Sequence, residues 1–177
     1  AFKPTHKVSS LKANVFSKPI KSSRIKMKLS FTSLLQVKSS NKEFFNFDNY
    51  WIQKSDVVPI KYKEKIFKRI KIFRNVKYKW GGKTFDGIDC SGLLQLFYKF
   101  NNLYCPRDTG PQFRYFKKFK SVKKDAIIFW KGHVAVCLSK KNLIHAYGPK
   151  KKVIIMDIKK TINLIKKTAK LEVIGIK

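Results

Sequence analysis

The stretch GIDCSGLLQLFYKF, residues 87–100, places a cysteine where a nucleophile would be useful. Cys90 lies between Asp89 and Ser91, where a helical pattern of apolar residues begins. If Asp89 is the N-cap of that helix, its carboxylate accepts hydrogen bonds from free amides of the first turn. The helix dipole then lowers the pKa of the Cys90 thiol, and a nearby histidinium lowers it further, which favours the reactive thiolate. Taken alone, a cysteine at a helix start also fits a buried structural residue.

Two of the three histidines, His133 and His145, are twelve residues apart in a region that predicts a β-hairpin. Alternation leaves them on one face of the hairpin. The opposite face is apolar and consists of Val134, Val136, Ile144 and Ala146. The register of the hairpin decides whether they meet. If the residue numbers of each opposed pair add up to an even value near 278 to 280, the two histidines are direct or diagonal neighbours, whereas a register with an odd sum separates them. His133 would then serve as base and acid for Cys90, and His145 would orient His133.

The elements that hold these residues follow from the apolar pattern. A helix is predicted near residues 60–75, and a glycine-containing loop covers residues 78–87. A second helix over about 90–101 is apolar on much of its surface and should be buried. From residue 125 onward the pattern changes to strands, with a hairpin loop at SKKN. Helices followed by an antiparallel sheet indicate an α+β arrangement.

The first part of the chain predicts a different kind of unit. Residues 10–57 read as four or five short strands without useful helical periodicity. Alternation is clearest around Ile25, Met27 and Leu29, and Asp48-Asn49 forms a turn within an aromatic strand. Strands this short and close together suggest a small β-barrel. A linker is predicted to follow these strands, because Pro59 has no backbone N–H to donate to a neighbouring strand.

Composition limits the class of protein. The chain has 177 residues, of which 44% are hydrophobic and 14% aromatic, enough for a real core. It carries 41 Lys and Arg against 10 Asp and Glu, a net charge of +31. Such an excess favours polyanions such as nucleic acid, anionic lipid or acidic wall polymers. Because the lysines are spread along the whole chain, a general enrichment in lysine is the competing interpretation.

Other classes are disfavoured. The three cysteines, Cys90, Cys105 and Cys137, cannot complete a disulfide framework, and no Cys-x-x-Cys pair or zinc-ligand spacing occurs. We therefore expect no metal and no cofactor, and we expect Cys105 and Cys137 to be core or edge residues. No apolar run is long enough for a membrane span. The start has neither an initiating Met nor a signal-peptide core, which leaves the compartment open between cytoplasm and cell envelope.

Four motifs, in this order, resemble the NlpC family of papain-like bacterial cell-wall cysteine peptidases. They are YKWGGKTFDGIDCSGLLQ (78–95), CPRDTGPQF (105–113), KKDAIIFWKGHVAVCL (123–138) and NLIHAYG (142–148). The resemblance implies a papain-like catalytic domain over residues 65–177 after a linker at 58–64. Residues 1–57 resemble the bacterial SH3-like barrel that often precedes this domain.

The resemblance also implies an activity and a set of roles. The expected enzyme hydrolyses peptidoglycan stem peptides or muropeptides, usually between the γ-carboxyl of D-glutamate and a diamino acid. Cys90 would be the nucleophile, His133 the general base and His145 the orienting residue. Tyr78, twelve residues before the nucleophile, would help to stabilise the oxyanion. Asp89 and Ser91 would bind the free amine of the first substrate residue.

Some positions depart from the family pattern or stay open. Lys124 stands where a glycine usually precedes the aspartate, and Ala135 stands where a glycine is common. Neither change removes a catalytic group. Tyr50 is a candidate for a barrel residue that lines the site. Arg107 and Asp108 are expected to brace a loop by an ion pair.

Two alternative functions remain open at this point. One is a basic protein that binds wall polymer or nucleic acid with vestigial catalytic residues, although no specific nucleic-acid motif is present. The other is an acyltransferase or amidase that uses the same thiol chemistry. We expect a monomer in either case.

Overall fold

The computed structural model describes all 177 residues and divides the chain into two compact units. The first unit comprises residues 1–65 together with 100–102, and the second comprises residues 66–99 together with 103–177. The chain contains three α-helices and four antiparallel sheets. None of its helices is both long enough and apolar enough to cross a membrane.

The first unit is built from eight short strands. They are β1 (His6–Val8), β2 (Lys12–Phe16), β3 (Ile25–Ser30), β4 (Leu34–Leu35), β5 (Ser39–Ser40), β6 (Phe44–Phe47), β7 (Tyr50–Gln53) and β8 (Val57–Pro59). They form a three-stranded sheet in the order β4-β1-β8 and a five-stranded sheet in the order β3-β2-β7-β6-β5. No closed barrel is found among these strands. The SH3-like assignment, like the division into residues 1–57, 58–64 and 65–177, therefore stays a prediction.

Several local predictions for the first unit can be compared with the structure. Asp48 and Asn49 both adopt positive φ, and they connect β6 to β7 as predicted. Ile25 and Met27 do lie in a strand, but they are exposed because β3 is at the edge of its sheet. Pro59 was expected to block pairing, yet it lies opposite His6 in the three-stranded sheet. The predicted linker therefore begins inside a strand.

The core of the first unit comes from residues that face inward on both sheets. Its buried members are Val8, Ala13, Val15, Leu35, Phe47, Ile52 and Val57.

The predicted helix near residues 60–75 is wrong. This region contains turns and one short 3-10 helix, Ile70–Phe73. Its apolar residues are buried without an α-helix, because Phe67 packs edge-on against Phe97 and Tyr98, and Phe73 packs edge-on against Phe97. The apolar spacing thus reflected contacts with the following helix.

The second unit contains the three α-helices and a five-stranded sheet. The elements are β9 (Lys83–Thr84), β10 (Gly87–Ile88), α1 (Cys90–Phe100), α2 (Thr109–Tyr115), β11 (Ile127–Trp130), β12 (His133–Cys137), β13 (Asn142–Tyr147), β14 (Lys152–Asp157), α3 (Ile158–Ala169) and β15 (Val173–Ile176). Strands β9 and β10 form a separate two-stranded sheet, and Ile88 of β10 also forms an isolated bridge with Tyr78. The large sheet has the order β14-β13-β12-β11-β15, with every pair antiparallel. The predicted α+β class is confirmed at this level.

Helix α3 was missed by the sequence reading, which assigned only strands after residue 125. Asp157 is its N-cap and accepts a hydrogen bond from the backbone N–H of Lys160 at 2.9 Å. Ile158 and Ile165 of α3 join a core cluster with sheet residues Ala135 and Cys137. Because His133 lies on the same face of β12 as these two residues, α3 covers the histidine face of the sheet.

Gly92, in the first turn of α1, lies in close contact with the preceding loop. A Cβ at this position would meet the backbone oxygen of Gly82 at 2.6 Å and Asp89 Oδ1 at 2.8 Å. A Cβ at Gly110, in α2, would meet only Arg114 Nη1, at 3.8 Å.

We therefore expect Gly92→Ala and Gly110→Ala to have opposite effects. The first should lower the free energy of unfolding by about 1–3 kcal/mol, because the loop or the cap must shift. The second should be neutral or stabilising by up to about 1 kcal/mol, since alanine favours a helix over glycine. Urea denaturation of both variants and the wild type measures the difference. Equal stability of the two variants would contradict the close approach at Gly92.

Candidate active site

Cys90 is the first residue of α1, and the residue before it caps the helix. The Asp89 carboxylate accepts a hydrogen bond from the backbone N–H of Gly92 at 2.7 Å, and the Asp89 carbonyl accepts one from Leu93 at 3.0 Å. A third bond comes from the N–H of Gly81 at 2.8 Å. The predicted cap is confirmed, and the same carboxylate also anchors the loop before β9.

Arg107 makes a two-pronged ion pair with Asp89. Its Nη2 donates to Asp89 Oδ2 at 2.6 Å and its Nη1 donates to Asp89 Oδ1 at 3.0 Å. Nη1 also donates to Ser91 Oγ at 2.9 Å. The sequence reading gave Arg107 an ion pair with Asp108 instead. Its partner is Asp89, eighteen residues earlier in the chain, a pairing that no local spacing could reveal.

This pairing controls the charge of Asp89. Burial raises the pKa of the Asp89 carboxyl, but the hydrogen bonds from Arg107, Gly92 and Gly81, with the charge of Arg107, outweigh burial. The pKa of Asp89 therefore lies below its ordinary value, and the carboxylate is ionised at neutral pH.

The two histidines are brought together by the register of the hairpin. Strands β12 and β13 pair Val136 with Ile144 and Cys137 with Leu143, so opposed residues sum to 280. This is the even register that the sequence reading required. His133 Nε2 lies 2.9 Å from His145 Nδ1.

His145 is buried, and His133 is half-buried. His145 has no exposed surface, and its ring stacks on Tyr147 with centroids 4.7 Å apart and planes 10° apart. Its second nitrogen, Nε2, lies 3.4 Å from Met156 Sδ. Burial lowers the pKa of His133 to about 4. Burial also lowers the pKa of His145 to about 3, and the nearby His133 makes a smaller contribution in the same direction. Both imidazoles are therefore neutral at neutral pH.

The expectation that the pKa of Cys90 lies below its ordinary value is wrong for this structure. Burial raises the pKa of the thiol to about 11, and the charge of Asp89 adds to the rise. Contacts with the backbone N–H groups of Val134, Ser91 and Cys90 oppose this rise but do not cancel it. The histidinium that was expected to help is also absent, because His133 is neutral. The resting site consists of a thiol and an imidazole rather than an ion pair.

Two cavities meet at Cys90. The first has a volume of about 480 Å³ and is lined by His133, Tyr147, Lys150 and apolar residues of α3. The second, of about 510 Å³, has Asp89, Ser91 and Arg107 in its wall. Cys90, Tyr78 and Gly132 line both cavities, so the thiol lies at their junction. An extended ligand could thus occupy both sides of the sulfur.

Tyr78 lies at the same junction with its hydroxyl protonated. Burial raises the pKa of this phenol, and the neighbouring Cys90 and Asp89 raise it further. Its backbone N–H donates to the carbonyl of Lys151 at 2.8 Å, which holds the segment beside the sheet. A protonated phenol can donate a hydrogen bond to an anion formed at Cys90.

Three other residues considered above are buried or half-buried within their own units. Cys105 and Cys137 are buried free thiols, as expected. Tyr50 belongs to the first unit and is half-buried against its core cluster. No group of three or more His, Cys, Asp or Glu side chains in the chain is arranged to hold a metal ion. The sequence reading missed Met156, whose place beside His145 depends on the register of β13 and β14.

Two solved structures illustrate the similarity of fold. A crystal structure of an NlpC/P60 family protein from Bacillus cereus matches with a TM-score of 0.82 and 24% identity, covering 99% of this chain and 63% of that one. NlpC2 from Trichomonas vaginalis matches with a TM-score of 0.57 and 19% identity, covering 99% and 72% of the two chains. At these levels of sequence identity, the similarity shown is one of fold.

Sequence comparison then identifies the family. The sequence model of the NlpC/P60 family matches residues 75–170, which is more than half of the 177 residues. The chain belongs to the NlpC/P60 family, and the predicted resemblance is confirmed.

Two curated relatives share a name. The chain is 27% identical over 154 residues to a γ-D-glutamyl-L-lysine dipeptidyl-peptidase of Bacillus subtilis, covering 77% of this chain and 52% of the relative. It is 30% identical over 131 residues to the protein of that name from Bacillus cereus, covering 64% of this chain and 39% of the relative. The chain thus spans about half or less of the length of these relatives.

Removing Arg107 should destabilise the protein in a pH-dependent way. At pH 7, Arg107→Gln leaves a buried carboxylate without its cation, which we expect to cost about 2–4 kcal/mol in the free energy of unfolding. Folding lowers the pKa of Asp89. The stabilisation is therefore present above the pKa of this carboxyl in the unfolded chain, which is about 4, and it is lost as the pH falls through its pKa in the folded protein. The difference between variant and wild type should therefore shrink below about pH 4.

The matched control is Arg114→Gln, the same change at an exposed arginine of α2. It should alter stability by less than about 0.5 kcal/mol at either pH. Chemical denaturation at pH 7 and pH 3.5 makes the comparison. A loss for Arg107→Gln that is equal at both pH values would argue against an ionised, paired Asp89.

Alkylation should distinguish a resting thiol from a resting thiolate at Cys90. The pKa values of Cys105 and Cys137 are both raised to about 12, against about 11 for Cys90, and Cys90 lines both cavities. Iodoacetamide should modify Cys90 first, with a rate that rises roughly tenfold per pH unit from pH 7 to 9. Peptide mapping by mass spectrometry gives the site and the rate. A rate independent of pH over this range would mean that the thiolate is already formed.

Proposed function

We propose that the chain is a cysteine peptidase that hydrolyses peptidoglycan stem peptides, at the bond between γ-D-glutamate and a diamino acid. The observation that carries this proposal is that Cys90, at the start of α1 and at the junction of two cavities, lines the first cavity together with His133, which is itself bonded to His145. The names of the curated relatives support the choice of substrate. The specific bond rests on the resemblance and on the shape and charge of the cavities.

In the proposed mechanism Cys90 is the nucleophile and His133 the general base. His133 uses the ring nitrogen that does not contact His145, namely Nδ1. As Sγ attacks the substrate carbonyl, Nδ1 takes the thiol proton, and a tetrahedral oxyanion forms. Collapse breaks the C–N bond, the imidazolium returns the proton to the leaving amine, and a thioester remains on Cys90. Water, deprotonated by the same nitrogen, then hydrolyses the thioester.

Tyr78 would stabilise the oxyanion. Its phenol lies at the junction and stays protonated because its pKa is raised. Backbone N–H groups in the first turn of α1 have no partner within the helix and can add to this stabilisation. His145 would keep the His133 ring in position.

The second cavity would bind the acyl side of the substrate. A γ-linked glutamate keeps a free α-carboxylate, and Arg107 supplies a cation for it in this wall. Asp89 and Ser91, proposed ligands of the substrate amine, line the same cavity but are already bonded to Arg107. A substrate ammonium would therefore share the carboxylate of Asp89 with Arg107.

The first cavity would bind the part of the substrate that carries the leaving amine. Apart from His133, its walls contain a single ionisable cation, Lys150, and no carboxylate. The carboxylate of a leaving diamino acid can pair with Lys150, whereas its aliphatic chain can lie against α3.

Replacing the nucleophile should abolish hydrolysis. Cys90→Ala removes the only thiol at the junction, so we expect a loss of at least about 10³-fold in the rate of muropeptide cleavage. Tripeptide, tetrapeptide and whole sacculus are digested, and the products are weighed by mass spectrometry. Cys105→Ala, which removes a buried thiol outside both cavities, should retain activity.

Product masses also separate the alternative functions. Hydrolysis adds one water to the two fragments, whereas an acyltransferase yields an acyl group joined to an added amine or alcohol. Normal cleavage by Cys90→Ala would show that the assignment of the nucleophile is wrong.

A further inference from the structure

Met156 contacts the histidine pair at a point that the proposed mechanism does not use. Its sulfur lies 3.4 Å from His145 Nε2, and His145 Nδ1 lies 2.9 Å from His133 Nε2. Three side chains thus form a line of two hydrogen bonds that ends at His133. Each ring nitrogen of His145 has one protein partner.

The chemistry of sulfur fixes the direction of both bonds. A thioether can accept a hydrogen bond but has no proton to donate, so His145 Nε2 must carry the proton. A neutral imidazole has one N–H, which makes Nδ1 of His145 an acceptor. His133 Nε2 is then the donor of the second bond. Since His133 is neutral as well, its Nδ1 carries a free lone pair.

The neutrality of both rings has a structural cause. His145 is fully buried, and one of its partners is another imidazole rather than a carboxylate. Burial lowers the pKa of both histidines, to about 4 for His133 and about 3 for His145. The Asp157 carboxylate, next to Met156 in the chain, is bonded to the backbone of Lys160 at the start of α3.

We propose that Met156 is a positioning residue that sets the tautomer of His133, through His145, so that Nδ1 of His133 is the base. The proposal rests on the proposed function, because it assigns a purpose to the tautomer in a thiol mechanism. Reversing both bonds would place a proton on Nδ1 of His133, and that nitrogen could not accept the proton of Cys90. Met156 disfavours this reversed state because its sulfur cannot donate to a deprotonated Nε2 of His145.

The strand register holds Met156 in place. Strand β14 pairs Ile154 with His145 and Met156 with Leu143. Met156 is therefore a diagonal neighbour of His145 on the same face of the sheet. Asp157, the next residue, is the N-cap of α3, so the end of β14 is fixed by the start of that helix.

Two substitutions separate the hydrogen bond from packing. Met156→Leu keeps nearly the same volume but removes the acceptor, whereas Met156→Gln keeps the length and offers a carbonyl acceptor together with an NH2 donor. For the leucine variant we expect kcat to fall about 3- to 10-fold, with KM changed less than about 2-fold. The glutamine variant should retain most of the wild-type kcat. Equal kcat for wild type and the leucine variant would overturn the proposal.

The tautomers can also be measured without substrate. NMR of the ring nitrogens distinguishes protonated from unprotonated positions, and only three histidines have to be assigned. In the wild type we expect Nε2–H on both His133 and His145, and a mixture of tautomers in Met156→Leu. A proton on Nδ1 of His145 in the wild type would overturn the proposal even if neither variant folds. Because this measurement needs no turnover, its result is independent of the Cys90→Ala test of the proposed function.

Discussion

The carboxylate of Asp89 holds together the segments that surround Cys90. It accepts hydrogen bonds from Gly81 in the preceding loop, from Gly92 in the first turn of α1, and from Arg107 in the segment before α2. The loop around Gly81 and the segment around Arg107 contain no long strand or helix that would fix their positions. One ionised group therefore caps the helix, closes the loop and sets one wall of a cavity. Because Asp89 directly precedes Cys90, each of these contacts also positions the thiol.

Burial decides the chemistry that this scaffold can support. The histidine face of the sheet is covered by α3, and no carboxylate bonds to either imidazole to stabilise its charged form. The rings and the thiol of Cys90 are consequently neutral in the resting state. In such a site proton transfer accompanies nucleophilic attack, and the direction of each hydrogen bond matters more than the attraction between ions. A weak acceptor such as the sulfur of Met156 can then influence which nitrogen is basic.

The sequence allowed the catalytic geometry to be predicted where it depends on local spacing. A cysteine after a capping aspartate and two histidines twelve residues apart on a hairpin need only helix capping and strand alternation. The contacts that join distant segments could not be predicted this way. Arg107 reaches Asp89 across eighteen residues, and Met156 reaches His145 through a register that the sequence does not specify. The false helix before residue 75 arose similarly, from apolar residues buried by α1.

Helix α3 escaped prediction although Ile158, Ile162 and Ile165 follow helical spacing, and its position explains how a chain with charge +31 can hold an apolar cavity. Only Ile158, Thr161 and Ile165 of this helix are buried. Lys166 and Lys167 are exposed, whereas Leu164 and Ile165 line the cavity beside Cys90. The helix thus separates the basic surface from the uncharged histidine pair. Lysine enrichment on such a surface can proceed without adding a charge to the face on which the proton transfers depend.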